Sequence, residues 1–230
     1  MATLFVGDIH GCAESFRALL EALGFRRGRD RLLLTGDILT RGPDPAGVWD
    51  AVRATGAEMV MGNHDRYLLR QLERLEAGEP PAAARPEKLD DVARVVPFAA
   101  TLVPWLRARP YVIDDPRFLL VHAGIHPVLG LAGTTEDELI HIRTWPPTDG
   151  IVGPRWHDHV APLPDRPIVF GHDAPGGLVV KRRADGTPWL IGLDSGCVYG
   201  GMLSGWILEE ARLVQVPGPR PVLASAGDRR

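Results

Sequence analysis

Short apolar runs alternate with helix-spaced patterns over the first third of the chain. Leu4-Phe5-Val6, Leu32-Leu33-Leu34 and Met59-Val60-Met61 are the runs, and they predict strands over 2–6, 31–34 and 58–61. Phe16, Leu19, Leu20 and Leu23 then recur on one helical face, closed by Gly24. A second helix opens at Asp44-Pro45, with proline at the first helical position; it turns Val48, Trp49 and Val52 inward and ends at Gly56. Leu68, Leu69, Leu72 and Leu75 predict a third helix over 67–75. The pattern is βαβαβ, one strand–helix–strand step after another.

The rhythm then changes. Residues 78–86 are rich in proline and alanine and predict a loop. Short helices are expected over 88–95 and 99–106, so 78–110 reads as a helical insertion beside the site, too small for a core of its own. Strands follow over 111–113 and 118–121, joined by a turn at 114–117. A short helix is expected over 134–142, an irregular proline-rich segment over 151–167 and a strand over 168–170. Hairpins are expected from 179–182 with 189–193, and from 202–208 with 213–216. A frayed tail would begin at 217. Two packed sheets with helices outside account for a βαβαβ first half and a hairpin-rich second half, in one domain over 1–216.

The polar residues that interrupt this pattern cluster at strand ends. Gly7-Asp8-Ile9-His10-Gly11 follows the first run, Gly36-Asp37 with Arg41-Gly42 the second, and Gly62-Asn63-His64-Asp65 the third. Asp37 lies 29 positions after Asp8, and Asn63 lies 26 after Asp37, about one strand–helix–strand step each time. Successive units of that kind aim their ligands at one sheet edge, where α/β sites form. Val121-His122-Ala123-Gly124 and Phe170-Gly171-His172-Asp173 repeat the device later, with small neighbours that permit close approach. Either histidine alone reads as a core or loop residue. Together with three upstream corners they make an oxygen-and-nitrogen donor set without thiolate, suited to Mn, Fe or Zn, singly or as a mixed pair.

Composition narrows the classes. The chain has 230 residues and a net charge of −3, which gives no reason to expect nucleic acid or an anionic membrane as partner. No apolar run approaches the ~20 residues of a membrane helix. Strand-like residues start at Thr3 without a basic leader, and two cysteines, Cys12 and Cys197, are too few for a disulfide framework. Together these predict a cytoplasmic protein with small buried thiols.

In this order the motifs Asp8-Ile9-His10-Gly11, Gly36-Asp37 with Arg41-Gly42, Gly62-Asn63-His64-Asp65, His122-Ala123-Gly124 and Gly171-His172 resemble those of calcineurin-like metallophosphoesterases. More narrowly they resemble the bacterial branch of the phosphoprotein phosphatase family. That branch holds small serine/threonine phosphatases and symmetrical diadenosine tetraphosphate hydrolases. The stretch 193–201, Leu-Asp-Ser-Gly-Cys-Val-Tyr-Gly-Gly, is similar to its C-terminal signature, so the likeness runs from residue 7 to about 208. It implies an α/β fold, a calcineurin-like β-sandwich of two packed mixed β-sheets flanked by helices.

The resemblance also implies two divalent metal ions, with Mn foremost and Fe, Zn, Ni or Co as alternatives. Asp8 and His10 would hold the first, Asp37 would bridge, and Asn63, His122 and His172 would hold the second. His64 would be the general acid, and Arg41 would clamp phosphate oxygens, its planar fork fitting them bidentately. Arg143 is the candidate for a second clamp, against a plain surface arginine. Tyr199 resembles an active-site tyrosine of the family, and Asn63 would also touch substrate. Position 40 departs from the pattern: an aspartate that would orient His64 is replaced by Thr40, and Asp65 is the neighbouring carboxylate available as a substitute in catalysis. His126, His141, the 157–159 triplet and Asp90-Asp91 carry loop, surface or helix-start readings.

The expected activity is hydrolysis of phosphomonoesters, including phosphoproteins, by metal-activated hydroxide. The second reading is symmetrical cleavage of diadenosine tetraphosphate to ADP. For that substrate the 78–110 stretch would supply walls, with Trp105 and Tyr199 as candidate stacking residues. A third reading, an inactive metal-stabilised binding protein, has no use for His64 or Arg41. Partners would be a phosphorylated small molecule, a nucleotide or a phosphoprotein.

Overall fold

The computed structural model describes residues 1–82, 85–147 and 151–219. Strands β1 (Thr3–Val6), β2 (Arg31–Leu34) and β3 (Glu58–Met59) alternate with helices α1 (Ala13–Leu23) and α2 (Pro45–Thr55), as the apolar pattern predicts. Then come α3 (Asn63–Glu76), α4 (Pro86–Val95), α5 (Ala99–Arg107), β4 (Val112–Asp115), β5 (Phe118–Val121) and α6 (Glu136–His141). Strands β6 (Ile168–Phe170), β7 (Val179–Arg182), β8 (Pro188–Gly192), β9 (Met202–Ile207) and β10 (Arg212–Pro217) are the last of the described strands.

The strands form two five-stranded sheets, ordered β10-β9-β1-β2-β3 and β4-β5-β6-β8-β7. Both are mixed. β1, β2 and β3 are parallel in the first, and β5, β6 and β8 in the second. Antiparallel pairing adds β9 and β10 to the first sheet, and β4 and β7 to the second.

Side-chain alternation shows how the layers stack. Phe5, Leu33 and Trp206 of the first sheet meet Phe118, Leu120, Val169 and Ile191 of the second. Their sequence neighbours face the other way. Leu4, Val6, Leu32 and Leu34 pack under the helices. Leu119, Val121, Ile168, Phe170 and Leu190 pack with α6 and Trp156. A strand buried on both faces needs apolar residues at every position, and this is why the central strands read as unbroken runs. Phe5 and Phe118 meet edge to face at 4.9 Å across the sandwich.

The helix ends follow local chemistry. Asp44 caps α2 by accepting from the Gly47 N–H at 2.8 Å, and Gly56 closes it at φ 71°. α3 starts at Asn63, four residues before its apolar stripe would place it. Its first turn is polar because it faces the site, and apolar periodicity cannot register such a turn. Asp114 and Asp115 belong to β4, so the turn shrinks to Pro116-Arg117. Pro217 is not the start of a frayed tail: it pairs with Met202 in β10, and its carbonyl accepts from Ser15 Oγ at 2.9 Å. The expected tail from 220 onward, and residues 83–84 of the expected 78–86 loop, lie outside the described residues. α5 is core: Leu102, Val103 and Leu106 are buried, and Trp105 packs on Trp49 at 5.2 Å. No described helix is long and apolar enough to cross a membrane.

At the end of the sandwich away from the parallel strands' C-termini, Arg31 ties the sheets together. It grips Glu58 of β3 bidentately at 2.6 and 2.8 Å, and Asp115 of β4 at 2.6 Å. The Arg31 hydrogen bond holds the Glu58 carboxyl below its usual range. Burial pushes Asp115 up, but the Arg117 N–H and Arg31 outweigh it and the net shift is downward. Carboxyls with depressed folded pKa values add stability above the ordinary range, about 4, and lose it as pH falls through the folded value. Arg31→Gln is therefore expected to lower the urea midpoint at pH 7, with the gap to wild type closing by pH ~3. A gap that stayed constant with pH would show that Arg31 acts by packing alone.

Candidate active site

All six parallel strands point their C-terminal ends at one rim, and each delivers a polar residue there. Asp8 follows β1, Asp37 follows β2 and Asn63 follows β3; His122 follows β5, His172 follows β6 and Asp194 follows β8. Asp8, His10 and Asp37 place ligand atoms within 4.8 Å of one another, and so do Asp37, His122 and His172. Asp37 belongs to both groups. Its Oδ2 lies 3.8 Å from His10 Nε2 and 3.5 Å from His122 Nε2.

The close approach depends on glycine. A Cβ on Gly171 would lie 2.0 Å from Asp8 Oδ1, and one on Gly62 would lie 2.2 Å from Asp37 Oδ1. It also depends on unfavourable backbone. Among described non-glycine residues, positive φ occurs at His10 (45°), Asp37 (55°), Arg41 (68°) and His172 (69°), and otherwise only at Ala211. Left-handed backbone at four site residues is strain that the surrounding structure must hold in place.

The hydrogen bonds test whether these residues suit a cation. His122 Nδ1 lies 2.7 Å from the Thr35 carbonyl, and His172 Nε2 lies 3.3 Å from the His141 carbonyl. Carbonyls only accept, so those nitrogens carry the protons. The other nitrogens, His122 Nε2 and His172 Nδ1, are then bare, 3.1 Å apart, and each 3.1 Å from Asn63 Oδ1. Nothing within this triad donates. Three converging acceptors are repulsive until a positive ion occupies the gap, so the donor set fits a metal. On the other side, burial and the nearby Asp194 and Asp37 push Asp8 well above the usual carboxylate range. Burial and Asp65 do the same to Asp37. Burial, then His64 and the Arg41 charge, lower His10; burial, then His122 and the Arg143 charge, lower His172; and burial lowers His122 to about 3. A bound cation relieves both the carboxylate repulsion and the lone-pair clash.

Around this cradle lies a cleft of about 590 Å³ that includes Arg41, His64, Arg143, Asp194 and Tyr199 in its lining. A larger hollow of about 770 Å³ opens behind Cys12 and Arg17, away from these groups. The Arg41 guanidinium reaches His64 Nε2 at 2.9 Å and the Tyr199 hydroxyl, and its Nη1 lies 3.4 Å from His10 Nε2. Arginine is always a donor, so His64 Nε2 accepts. Burial and Arg41 lower His64 to about 3. Arg143 Nη2 lies 3.3 Å from the His172 carbonyl, and Arg143 lines the cleft. Tyr199 is 59% exposed.

Several residues stand differently from expectation. Asp65 does not stand in for a catalytic carboxylate at position 40. It is fully buried and accepts the N–H groups of Asp37 (2.6 Å), Ile38 (3.1 Å) and Gly62 (3.3 Å), so it fixes the backbone that carries Asp37. Thr40 Oγ1 turns to His10 Nδ1 at 3.0 Å. Asp91 is more than helix-start charge, because it accepts the Arg41 N–H at 2.7 Å. Trp105, in the core on Trp49, does not line the cleft. His126 accepts from Val128 and Leu129, His141 pairs with Asp137, and Asp158 pairs with Lys181. Cys12 and Cys197 are buried thiols. Asp194 and Thr35 were not singled out in the sequence. Asp194 had a readable signal, an apolar run followed by Asp-Ser-Gly, the same form as the earlier corners. Thr35 acts through its backbone carbonyl and through Oγ1 to Asp8 at 2.9 Å, and composition carries no sign of that.

Comparison with known proteins agrees with this geometry. The bis(5'-nucleosyl)-tetraphosphatase, symmetrical, of Dechloromonas aromatica is 30% identical, over 94% of this chain and 96% of its own length. The enzyme of the same name from Chromobacterium violaceum is 29% identical over 94% and 95%. Its alignment spans 276 positions, more than the 230 residues here, so that relative carries inserted residues this chain lacks. A crystal structure assigned as a diadenosine tetraphosphatase superposes with TM-score 0.75 at 31% identity, covering 95% of this chain and 94% of that one. Residues 1–209 match the model of the calcineurin-like phosphoesterases, and the chain belongs to that family of hydrolases.

Proposed function

We propose that this hydrolase cleaves phosphoanhydrides of dinucleoside polyphosphates, splitting diadenosine tetraphosphate symmetrically into two ADP. Phosphoprotein hydrolysis, which the motifs alone place first, becomes the second reading. The observation that carries this choice is the setting of His64. Its Nε2 accepts from Arg41, no carboxylate stands at position 40, and Thr40 is turned to His10. A serine phosphate leaves as an alkoxide, whose conjugate acid is about as weak as water, so it needs a proton in the transition state. A nucleoside diphosphate leaves through a phosphate oxygen of pKa ~6 and needs none at neutral pH. The full-length likeness to enzymes named symmetrical tetraphosphatases supports the same substrate.

Each side chain then has a task. Asp8, His10 and Asp37 would hold one divalent ion, and Asp37, Asn63, His122 and His172 the other. Such ions neutralise phosphoryl oxygens and supply an acidified water as nucleophile. Arg41 and Arg143 bind phosphate oxygens, where a fixed guanidinium stabilises the charge that builds on them. His64 and Tyr199 hold the Arg41 fork in place. The exposed Tyr199 ring offers a face for a nucleobase.

Kinetics of metal-reloaded variants test the assignment. On diadenosine tetraphosphate, His64→Asn is expected to lose less kcat than the ~10²-fold floor of a general acid, and to raise KM because Arg41 is freed. A loss of 10²-fold or more in kcat, with both ions retained, would return His64 to the general-acid role. Tyr199→Ala is expected to raise KM for the dinucleotide about 10-fold beyond its effect on p-nitrophenyl phosphate, the scale of one base–aromatic stack. Equal effects on both substrates would remove Tyr199 from base binding.

A further inference from the structure

Asp173 follows His172 directly and is 5% exposed. Two arginines converge on it. Its Oδ2 pairs with Arg155 Nε at 3.1 Å, and its Oδ1 lies 3.8 Å from Arg143 Nε. The Gly176 N–H adds a bond to Oδ1 at 3.3 Å. Arg143 is thus bracketed: Asp173 stands at its Nε edge, and the His172 carbonyl takes Nη2 at 3.3 Å.

Paired backbone fixes where the two arginines come from. Thr144 and Arg155 form an antiparallel bridge. The Trp145 N–H donates to the Pro154 carbonyl at 2.9 Å, and the Trp156 N–H to the Arg143 carbonyl at 3.0 Å. Arg155 is anchored again through Nη1 to the Ile151 carbonyl at 2.8 Å and through its own N–H to Asp158 Oδ2 at 3.2 Å.

Charge gives the arrangement a purpose. A lone carboxylate just behind the lining of an anion-binding cleft would repel phosphate. Two guanidiniums against one carboxylate leave a net positive charge: Arg143 lines the cleft, while Asp173 and Arg155 stand behind it and Arg155 supplies the neutralising share. Arg143 Nε is buried without a hydrogen-bond acceptor, since 3.8 Å is too long for a bond. The nearest carboxylate to answer it is Asp173. A long side chain in such a bracket loses its rotamer freedom before substrate arrives, which leaves less to lose on binding.

We infer that Asp173 and Arg155 are positioning residues for Arg143, holding its guanidinium ready to bind a phosphate oxygen of the substrate. The inference rests on the cleft being a phosphate site, not on which phosphate compound is the natural substrate. The test accordingly uses p-nitrophenyl phosphate as substrate and inorganic phosphate as competitive inhibitor, with the Mn²⁺-loaded protein. Asp173→Asn and Arg155→Ala are each expected to raise KM and the phosphate Ki about tenfold, the scale of one charge-assisted hydrogen bond, with kcat changed far less. In an Arg143→Ala background neither is expected to add anything, because all three act as one unit.

Metal content and melting temperature are read alongside. If Asp173→Asn loses metal through its neighbour His172, Arg155→Ala carries the test, since Arg155 contacts no proposed ligand. Unchanged KM and Ki in Arg155→Ala with both ions present, or effects that multiply fully with Arg143→Ala, would overturn the inference. Failure to cleave diadenosine tetraphosphate while p-nitrophenyl phosphate is still hydrolysed would instead count against the proposed substrate and leave this test intact.

Discussion

Asp37 must serve two groups of ligands with one carboxylate, and its backbone has to sit where aspartate seldom sits. Its φ of 55° is left-handed. Gly62 leaves no side chain in its way, and Asp65 receives its N–H and that of Ile38. The buried Asp65 charge is stabilised by those backbone donors, while burial raises its pKa to about 6. Remove any of these and the shared carboxylate moves relative to both histidine groups. The same turn carries Arg41 four residues further on, also left-handed and held by Asp91 of α4. One strained loop therefore sets both the candidate metal cradle and Arg41, the proposed first phosphate clamp.

The sandwich supplies the frame for that loop. Parallel strands from two sheets end at one rim, so ligands far apart in sequence meet within hydrogen-bond distance. That convergence lets Asp8 Oδ2 accept the His172 N–H at 3.0 Å, 164 residues away. Electrostatic cost and function coincide here. Buried carboxylates beside one another, and imidazole lone pairs facing one another, are unfavourable in a metal-free protein and favourable once cations are present.

Much of this could be read in the chain because the signal was repetitive. An apolar run followed by Asp, Asn or His beside glycine marks a strand end, and five such corners in order outweigh the weakness of each. The roles that escaped are those of residues whose work is indirect. Asp65 and Asp91 act on backbone N–H groups contributed by other segments, and a carboxylate looks the same in sequence whether it meets a metal, a proton or an amide. Thr35 contributes a carbonyl, which every residue has. α3 begins earlier than its apolar stripe because its first turn belongs to the site. Trp105 is an aromatic in a stretch expected to wall the cleft, yet the core beneath α2 takes it.

Position 40 links the structure to substrate choice. With threonine there, His64 keeps Arg41 as its partner, and the proposed phosphate clamp stands beside an imidazole with no carboxylate to charge it. Such a site suits a leaving group that is already acidic. The most direct measurement is kcat/KM for diadenosine tetraphosphate against a phosphoserine peptide, in one Mn²⁺-reloaded preparation, with the products of the dinucleotide identified. The account predicts two ADP and a preference for the dinucleotide of at least ~10²-fold, the minimum worth of the missing acid. A preference for the phosphopeptide, or cleavage to ATP and AMP, would contradict it.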